Sequence, residues 1–300
     1  MKYDSLVSCV IPSYKRADTL RRAINSVLAQ TYSNVEVLVV DDNIAGDEYS
    51  ITLQKIIDEY KSDSRVILVT QPKHINGAEA RNAGVRASHG EYIAFLDDDD
   101  EWQPDKIERQ IIIMKNDSQL GGVAGGVTLW ENGVEISSLP KETIKEEGLL
   151  YKVLTREVGL ATSSFLCKKS AFYEMGGFDV SLRRSQDLQL FAHFLAKYRI
   201  YPISEFRTVK MHVESSINRL DAKRLAANKE EFFESVKDVL ALFKPSVQQR
   251  IKSAHYYEVA YVAIREKKYL FAIKYMFKGF NSRASVKDLY YRYNRRKSSK

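Results

Sequence analysis

The chain has 300 residues, 44% hydrophobic and 28% charged, the usage of a soluble, intracellular globular protein of one or two domains. Its two cysteines, Cys9 and Cys167, lie far apart in apolar stretches, which argues against a disulfide framework or a cysteine zinc site and fits a reducing compartment. The net charge of +7 is uneven: residues 221–300 hold 19 Lys or Arg against 8 Asp or Glu, so a basic tail follows a slightly acidic body.

Along the body, strand and helix patterns alternate. Leu6 to Ile11 is an apolar run that predicts a first strand. Leu20, Ile24, Val27 and Leu28 then mark one face of a helix. Val35 to Val40 predicts a second strand, ending in Asp41-Asp42-Asn43, and Ile51 to Tyr60 a helix. Val66 to Val69 predicts a third strand, Ala78 to Ala87 a helix capped by Asn76 or Gly77, and Tyr92 to Leu96 a fourth strand. Such an order predicts a mostly parallel, doubly wound α/β sheet. In it, Pro12-Ser13-Tyr14, Asp41-Asp42-Asn43 and Asp97 to Asp100 all emerge at one edge, where open α/β sheets bind ligands.

The fourth strand delivers four consecutive carboxylates, Asp97 to Asp100, to that edge. Adjacent acids repel unless they are solvated or share a hard cation such as Mg²⁺ or Mn²⁺. Magnesium held by one or two carboxylates usually completes its shell with phosphates, so a phosphorylated substrate is implied. The competing reading is an acidic turn capping the next helix, with Pro104 in its first turn.

Beyond residue 118 the pattern becomes Gly-rich and antiparallel, with Asn132-Gly133 a hairpin signal between Thr128 to Glu131 and Val134 to Ile136. Gly121-Gly122 and Gly125-Gly126 read as close packing or strand bends. Ser163 to Cys167 predicts another strand, followed by a short helix and a stop at Gly176-Gly177. No Walker GxxxxGK[ST] is present and no GxGxxG follows the first strand, which disfavours a P-loop kinase or a nicotinamide enzyme.

Five segments together, Val7-Ser8-Cys9-Val10-Ile11-Pro12-Ser13-Tyr14, Val39-Val40-Asp41-Asp42-Asn43, Ala80-Arg81-Asn82-Ala83-Gly84, Gly90 to Asp100 and Gly176-Gly177-Phe178-Asp179, resemble a family 2 glycosyltransferase of GT-A fold. The resemblance covers roughly residues 5–215. It implies helices on both faces of the sheet and inverting transfer of a sugar from a nucleoside diphosphate sugar, UDP-sugar favoured, to an acceptor hydroxyl. Pro12 and Tyr14 would line the nucleobase pocket, Asp42 and Arg81 would contact the base, and Asp98 would hold the ribose side. Asp97-Asp98-Asp99 forms the DxD position, where Asp99 would bind the divalent metal, Mn²⁺ or Mg²⁺, that bridges the diphosphate. Residues 1–117 would then form the nucleotide-sugar half and residues 118–220 the half for acceptor and base.

The acceptor hydroxyl needs a base, and Asp187 in Ser185-Gln186-Asp187-Leu188-Gln189-Leu190 is the candidate the resemblance implies. Gln186, Gln189 and Val180 stand where acids are frequent in the family. A helix-start acid favoured by the macrodipole is the ordinary alternative for Asp187. His212 lies in a segment resembling one that closes over the donor diphosphate, and it would complete the metal shell. The other four histidines are assigned structural roles.

Residues 222–293 read as three or four helices. Phe232, Phe233, Val236, Val239, Leu240 and Phe243 form one apolar face, and Tyr269, Ile273, Met276, Phe277 and Phe280 another, interleaved with lysines. Basic amphipathic helices can lie on membranes, but packing against neighbouring helices is the expected use here. Residues 221–300 are read as a basic helical C-terminal region, with an anionic membrane surface as the alternative partner. No motif points to nucleic acid. No stretch approaches 18 uncharged apolar residues, and the run at residues 6–11, followed by Pro12, is too short for a signal-peptide core. The implied setting is cytoplasmic, peripheral to the inner face of a bacterial membrane, with a glycan or lipid-linked acceptor. A sugar nucleotidyltransferase is the rival enzyme class, although its GxGxRL-type loop is missing after the first strand. A non-catalytic nucleotide-sugar-binding module is the other rival.

Overall fold

The computed structural model describes residues 5–131, 133–139, 143–212 and 221–280, with backbone alone at 204–208, 211 and 212. The chain divides into two compact units. The first comprises residues up to 149 together with 160–181 and 194–215, and the second comprises 150–159, 182–193 and the residues from 216 onward.

The first unit is built on one mixed sheet. Strands β1 (Val7–Ser13), β2 (Val35–Asp41), β3 (Val66–Thr70) and β4 (Tyr92–Phe95) pair in parallel in the order β3-β2-β1-β4. Helices α1 (Leu20–Leu28), α2 (Glu48–Asp58) and α3 (Gly77–Ala87) connect them. Every residue of β2 is buried, which is why the strand reads as continuous rather than alternating hydrophobicity.

Alternate strand residues pack on opposite faces. Cys9, Ile11, Val37 and Val39 join Leu20, Ile24 and Val27 of α1 and Leu53 and Ile56 of α2 in one core. On the other face α3 lies so close that a Cβ on Gly84 would strike methyls of Val10 and come within 3.0 Å of Val40 Cγ2. The Asn76 side chain caps α3 by accepting from Glu79 N at 3.0 Å, as the sequence suggests.

The chain then turns through β5 (Glu101–Trp102) and α4 (Lys106–Asn116) into β6 (Leu120–Glu131) and β7 (Val134–Leu139), which form the expected hairpin. Gly133 has φ +80° there; Asn132 lies outside the described residues. Strands β8 (Phe165–Lys168) and β9 (Arg199–His212) complete the sheet order β4-β8-β6-β9-β5. The β4-β8, β8-β6 and β9-β5 pairs are antiparallel and β6-β9 is parallel. Gly121 and Gly122 do serve close packing: a Cβ on each would come within 2.5 Å of Tyr198 and 2.6 Å of Phe165, respectively.

Helix α5 (Leu149–Leu154) falls almost wholly in the second unit, and α6 (Lys169–Glu174) in the first. Helix α7 (Gln186–Lys197) contributes residues to both units. The second unit continues with α8 (Ala222–Ser235), α9 (Lys237–Ala241), α10 (Pro245–Arg265) and α11 (Tyr269–Gly279). Phe232, Phe233, Val236, Val239 and Leu240 form its core with Ile251, Val259 and Tyr275, as their spacing predicts. The second apolar face does not pack as expected. Tyr269, Ile273, Met276, Phe277 and Phe280 are all exposed, because α11 turns its Ala272, Tyr275 and Gly279 side inward instead. Among the described residues no helix is long and apolar enough to cross a membrane.

Candidate active site

Parallel pairing in register brings the ends of β1, β2 and β4 together, with Ser13 opposite Asp41 and Val10 opposite Phe95. The loops beyond them interlock. Lys15, at φ +53°, donates its backbone N–H to Asn43 Oδ1 at 2.7 Å, and Asn43 Nδ2 donates to Asp41 Oδ1 at 2.8 Å. Ser50 Oγ donates to the other oxygen of Asp41 at 2.6 Å. The loop after β1 is thus tied to the loop after β2, which fixes Tyr14 beside Asp42.

Asp42 is buried, and both its oxygens are engaged. Gln71 Nε2 donates to Oδ1 at 2.8 Å, and His74 Nδ1 lies 3.0 Å from Oδ2. Burial raises the Asp42 pKa above its ordinary value, and the neighbouring His74 partly offsets that effect. The His74 ring also stacks on Tyr14, with centroids 4.0 Å apart and planes at 14°. Sequence reasoning gave His74 only a structural role, yet it stands in contact with two residues assigned to the nucleobase. Nothing in the local pattern marks it, since the contact arises from the fold.

The four acids form a turn in which Asp100 N donates to Asp97 O at 3.0 Å. They do not cap α4: β5 intervenes, and Asp105 stands at the helix N-cap position. Ser163 holds the turn from below, its Oγ accepting from Asp97 N at 3.1 Å and donating to buried Asp100 at 2.5 Å. Arg16 pairs with Asp99 and approaches Asp98 at 3.7 Å, while Arg22 donates to the Asp99 carbonyl at 2.6 Å. Arg81, expected at the base, pairs here with Asp97 and donates to the Gly77 carbonyl at 3.2 Å. Arg16 and Arg81 therefore balance part of the carboxylate charge.

Asp98 is pushed up to about 7, first by burial and then by the neighbouring Asp99 and Asp97, against the Ser13 hydrogen bond and Arg16. Asp99 is raised too, mainly by burial. Asp97, Asp99 and Asp100 each offer an oxygen within 4.8 Å of the others. An all-oxygen donor set of that size suits a hard divalent ion. Asp100 joins this set, as the run of four carboxylates allows, whereas the family resemblance assigns the metal to Asp99 alone among them.

Pro12 is the penultimate residue of β1, opposite Val40 and next to Ser13. His212 closes β9 opposite Trp130, and its side chain lies outside those described. Asp187 belongs to the second unit, exposed in the first turn of α7, where the helix dipole favours a carboxylate. Ser185, immediately before that helix, has φ +63°, and its carbonyl accepts from Gln189 N at 2.9 Å.

Residues 8–176 match the model of glycosyl transferase family 2. The chain belongs to that family. It is 29% identical over 271 residues, 90% of this chain and 98% of the relative, to the Escherichia coli UDP-Glc:alpha-D-GlcNAc-diphosphoundecaprenol beta-1,3-glucosyltransferase WfgD. It is 28% identical over 192 residues, 62% of this chain and 63% of the relative, to the amylovoran biosynthesis glycosyltransferase AmsB of Erwinia amylovora. The fold matches S. aureus TarS 1-349 in complex with UDP-GlcNAc at TM-score 0.67, with 15% identity, 91% of this chain covered and 79% of that one. It also matches the mannosyltransferase PcManGT of Pyrobaculum calidifontis in complex with GDP-Man and Mn²⁺, at TM-score 0.59 and 16% identity, covering 96% and 79%. The mixed sheet with its acidic turn thus has the GT-A fold of a family 2 glycosyltransferase.

Proposed function

We propose that this enzyme moves a sugar from a UDP-sugar to a hydroxyl of a lipid-linked glycan, with inversion, at the cytoplasmic face of a bacterial membrane. The observation that carries the reading is the meeting of Tyr14, Asp42 and the Asp97 to Asp100 turn at the carboxyl ends of β1, β2 and β4. The similarity to WfgD over most of both chains supports UDP as the nucleotide and a diphosphoundecaprenol-linked acceptor. In this assignment residues 1–117 take the donor and residues 118–220 serve acceptor and base. Residues 221–300 meet the anionic membrane surface.

Pro12, Tyr14, Asp42 and Arg81 take the nucleobase, and Asp97 and Asp98 the remaining nucleotide. Asp97, Asp99 and Asp100 would hold Mn²⁺ or Mg²⁺, the DxD function, with His212 as a further ligand. When bound, the ion neutralises charge that builds on the departing diphosphate. Arg16, already paired with Asp99, would turn toward the phosphates and add to that neutralisation. Asp187, exposed and ionisable, removes the acceptor proton.

A thermal-shift panel of UDP-, GDP- and dTDP-sugars, each with and without Mn²⁺, tests the donor. UDP-sugar with Mn²⁺ should raise the melting temperature most, since a ligand at ~100 times its Kd adds ~2.7 kcal/mol. A GDP- or dTDP-sugar giving the larger shift would reject UDP.

A further inference from the structure

Helix α11 is fixed to α10 by one side only. Gly279 lets the Tyr257 ring approach to 2.8 Å from where a Cβ would stand, and its carbonyl accepts from Tyr257 Oη at 3.0 Å and Ser253 Oγ at 2.6 Å. Ala272, Tyr275 and Gly279, at i, i+3 and i+7, form that buried side. Leu270, Ile273 and Phe277 repeat the same spacing on another side of the helix, and Leu270 is 86% and Phe277 76% exposed. Tyr269, Met276 and Phe280 extend the apolar surface between the two. An exposed stripe of this kind on a well-anchored helix marks an interaction surface.

Charge indicates what covers it. Lys274 and Lys278, four residues apart, border the stripe, and Arg265, Lys267 and Lys268 precede the helix. Lys278 is paired with Glu230 at 2.9 Å and Lys268 with Glu266 at 2.7 Å, whereas no ion pair is formed by Lys267 or Lys274 among the described residues. A second copy docking through the same face would oppose these cations to themselves. An anionic leaflet neutralises them while its acyl boundary takes up Leu270, Ile273 and Phe277, the way an interfacial helix binds.

We propose that α11 is a membrane-docking helix that seats its Leu270–Ile273–Phe277 stripe in the headgroup region of an anionic bilayer. The choice of lipid over an acidic protein rests on the lipid-linked acceptor proposed above; the exposed stripe itself does not.

The test is co-sedimentation of the full-length protein with phosphatidylglycerol/phosphatidylcholine vesicles and with phosphatidylcholine alone, at low and high salt and without substrate. The wild type should pellet with anionic vesicles and be partly released by salt. Leu270→Ser/Phe277→Ser, which alters only exposed positions, should bind at least ten-fold more weakly while keeping its melting temperature and its UDP affinity. Equal pelleting of variant and wild type overturns the proposal. So does a wild type that ignores anionic vesicles, or a concentration-dependent dimer that the double substitution dissolves. Because UDP binding is read separately, failure on vesicles leaves the donor assignment standing, and failure of UDP binding leaves the helix assignment standing.

Discussion

His74 occupies the acceptor oxygen that Asp42 would offer to a nucleobase: its Nδ1 lies 3.0 Å from Asp42 Oδ2, and its ring covers Tyr14 at 4.0 Å. A base taking either position has to displace the imidazole. The stack and the hydrogen bond together oppose that by about 1–2 kcal/mol. His74→Ala should therefore tighten UDP binding by roughly 5- to 30-fold, read by titration calorimetry. Weaker binding in this variant would instead place the imidazole on the bound base.

The acidic turn and Asp187 should separate in kinetics. Asp99→Asn removes one of three clustered oxygens, so metal-enhanced UDP-sugar binding and nearly all transfer should be lost. An enzyme indifferent to EDTA would refute the metal assignment. Asp187→Asn should leave the UDP dissociation constant within about two-fold while turnover falls ~10²- to 10⁴-fold, the usual contribution of a general base. Parallel loss of donor affinity in a folded Asp187→Asn protein would make Asp187 a binding or structural residue.

The parallel half of the fold was legible because buried strands such as Val35–Asp41 are apolar at nearly every position and because Asn76 caps its helix locally. Tyr14, Asp42 and the acidic turn could be brought to one edge by topology alone. His74 could not, since a stack between residues 60 apart exists only after β1 and β3 are in register with β2. Helix α11 failed for another reason. Hydropathy points to its bulky residues, whereas the inward side is chosen by Ala272 and Gly279, whose small size permits the close approach to α10. Periodicity finds faces but does not say which one the neighbour covers.

The spacing between α3 and the sheet offers a stability test. A Cβ at Gly84 would collide with the methyls of Val10 and sit 3.0 Å from Val40 Cγ2, and β-branched side chains in a buried sheet have few rotamers in which to retreat. Gly84→Ala should cost about 1–3 kcal/mol, seen as a lower urea midpoint at unchanged slope. Arg81 rides on the same helix, so its pairing with Asp97 should loosen and UDP-sugar affinity should fall as well. An unchanged midpoint would show that the helix moves out freely.

In the second unit, His255 is fully buried between Phe232 and Phe233, with Nε2 donating to the Leu154 carbonyl at 2.8 Å. Burial first, and then the charge of Lys229, push its pKa down from 6.5 to about 3. The unfolded chain therefore binds a proton between those values that the folded chain does not, so stability is complete above pH 6.5 and is lost as pH falls toward 3. Between pH 7 and pH 5 this residue alone should remove about 2 kcal/mol. Glu258, held at about 2 by Lys229 and Arg156 despite its burial, titrates below that interval and does not confuse it. His255→Gln keeps an N–H for Leu154 and cannot titrate, so its urea midpoint should fall much less than the wild type's from pH 7 to pH 5. Equal losses in the two proteins would mean that the folded state accepts the proton at His255 after all.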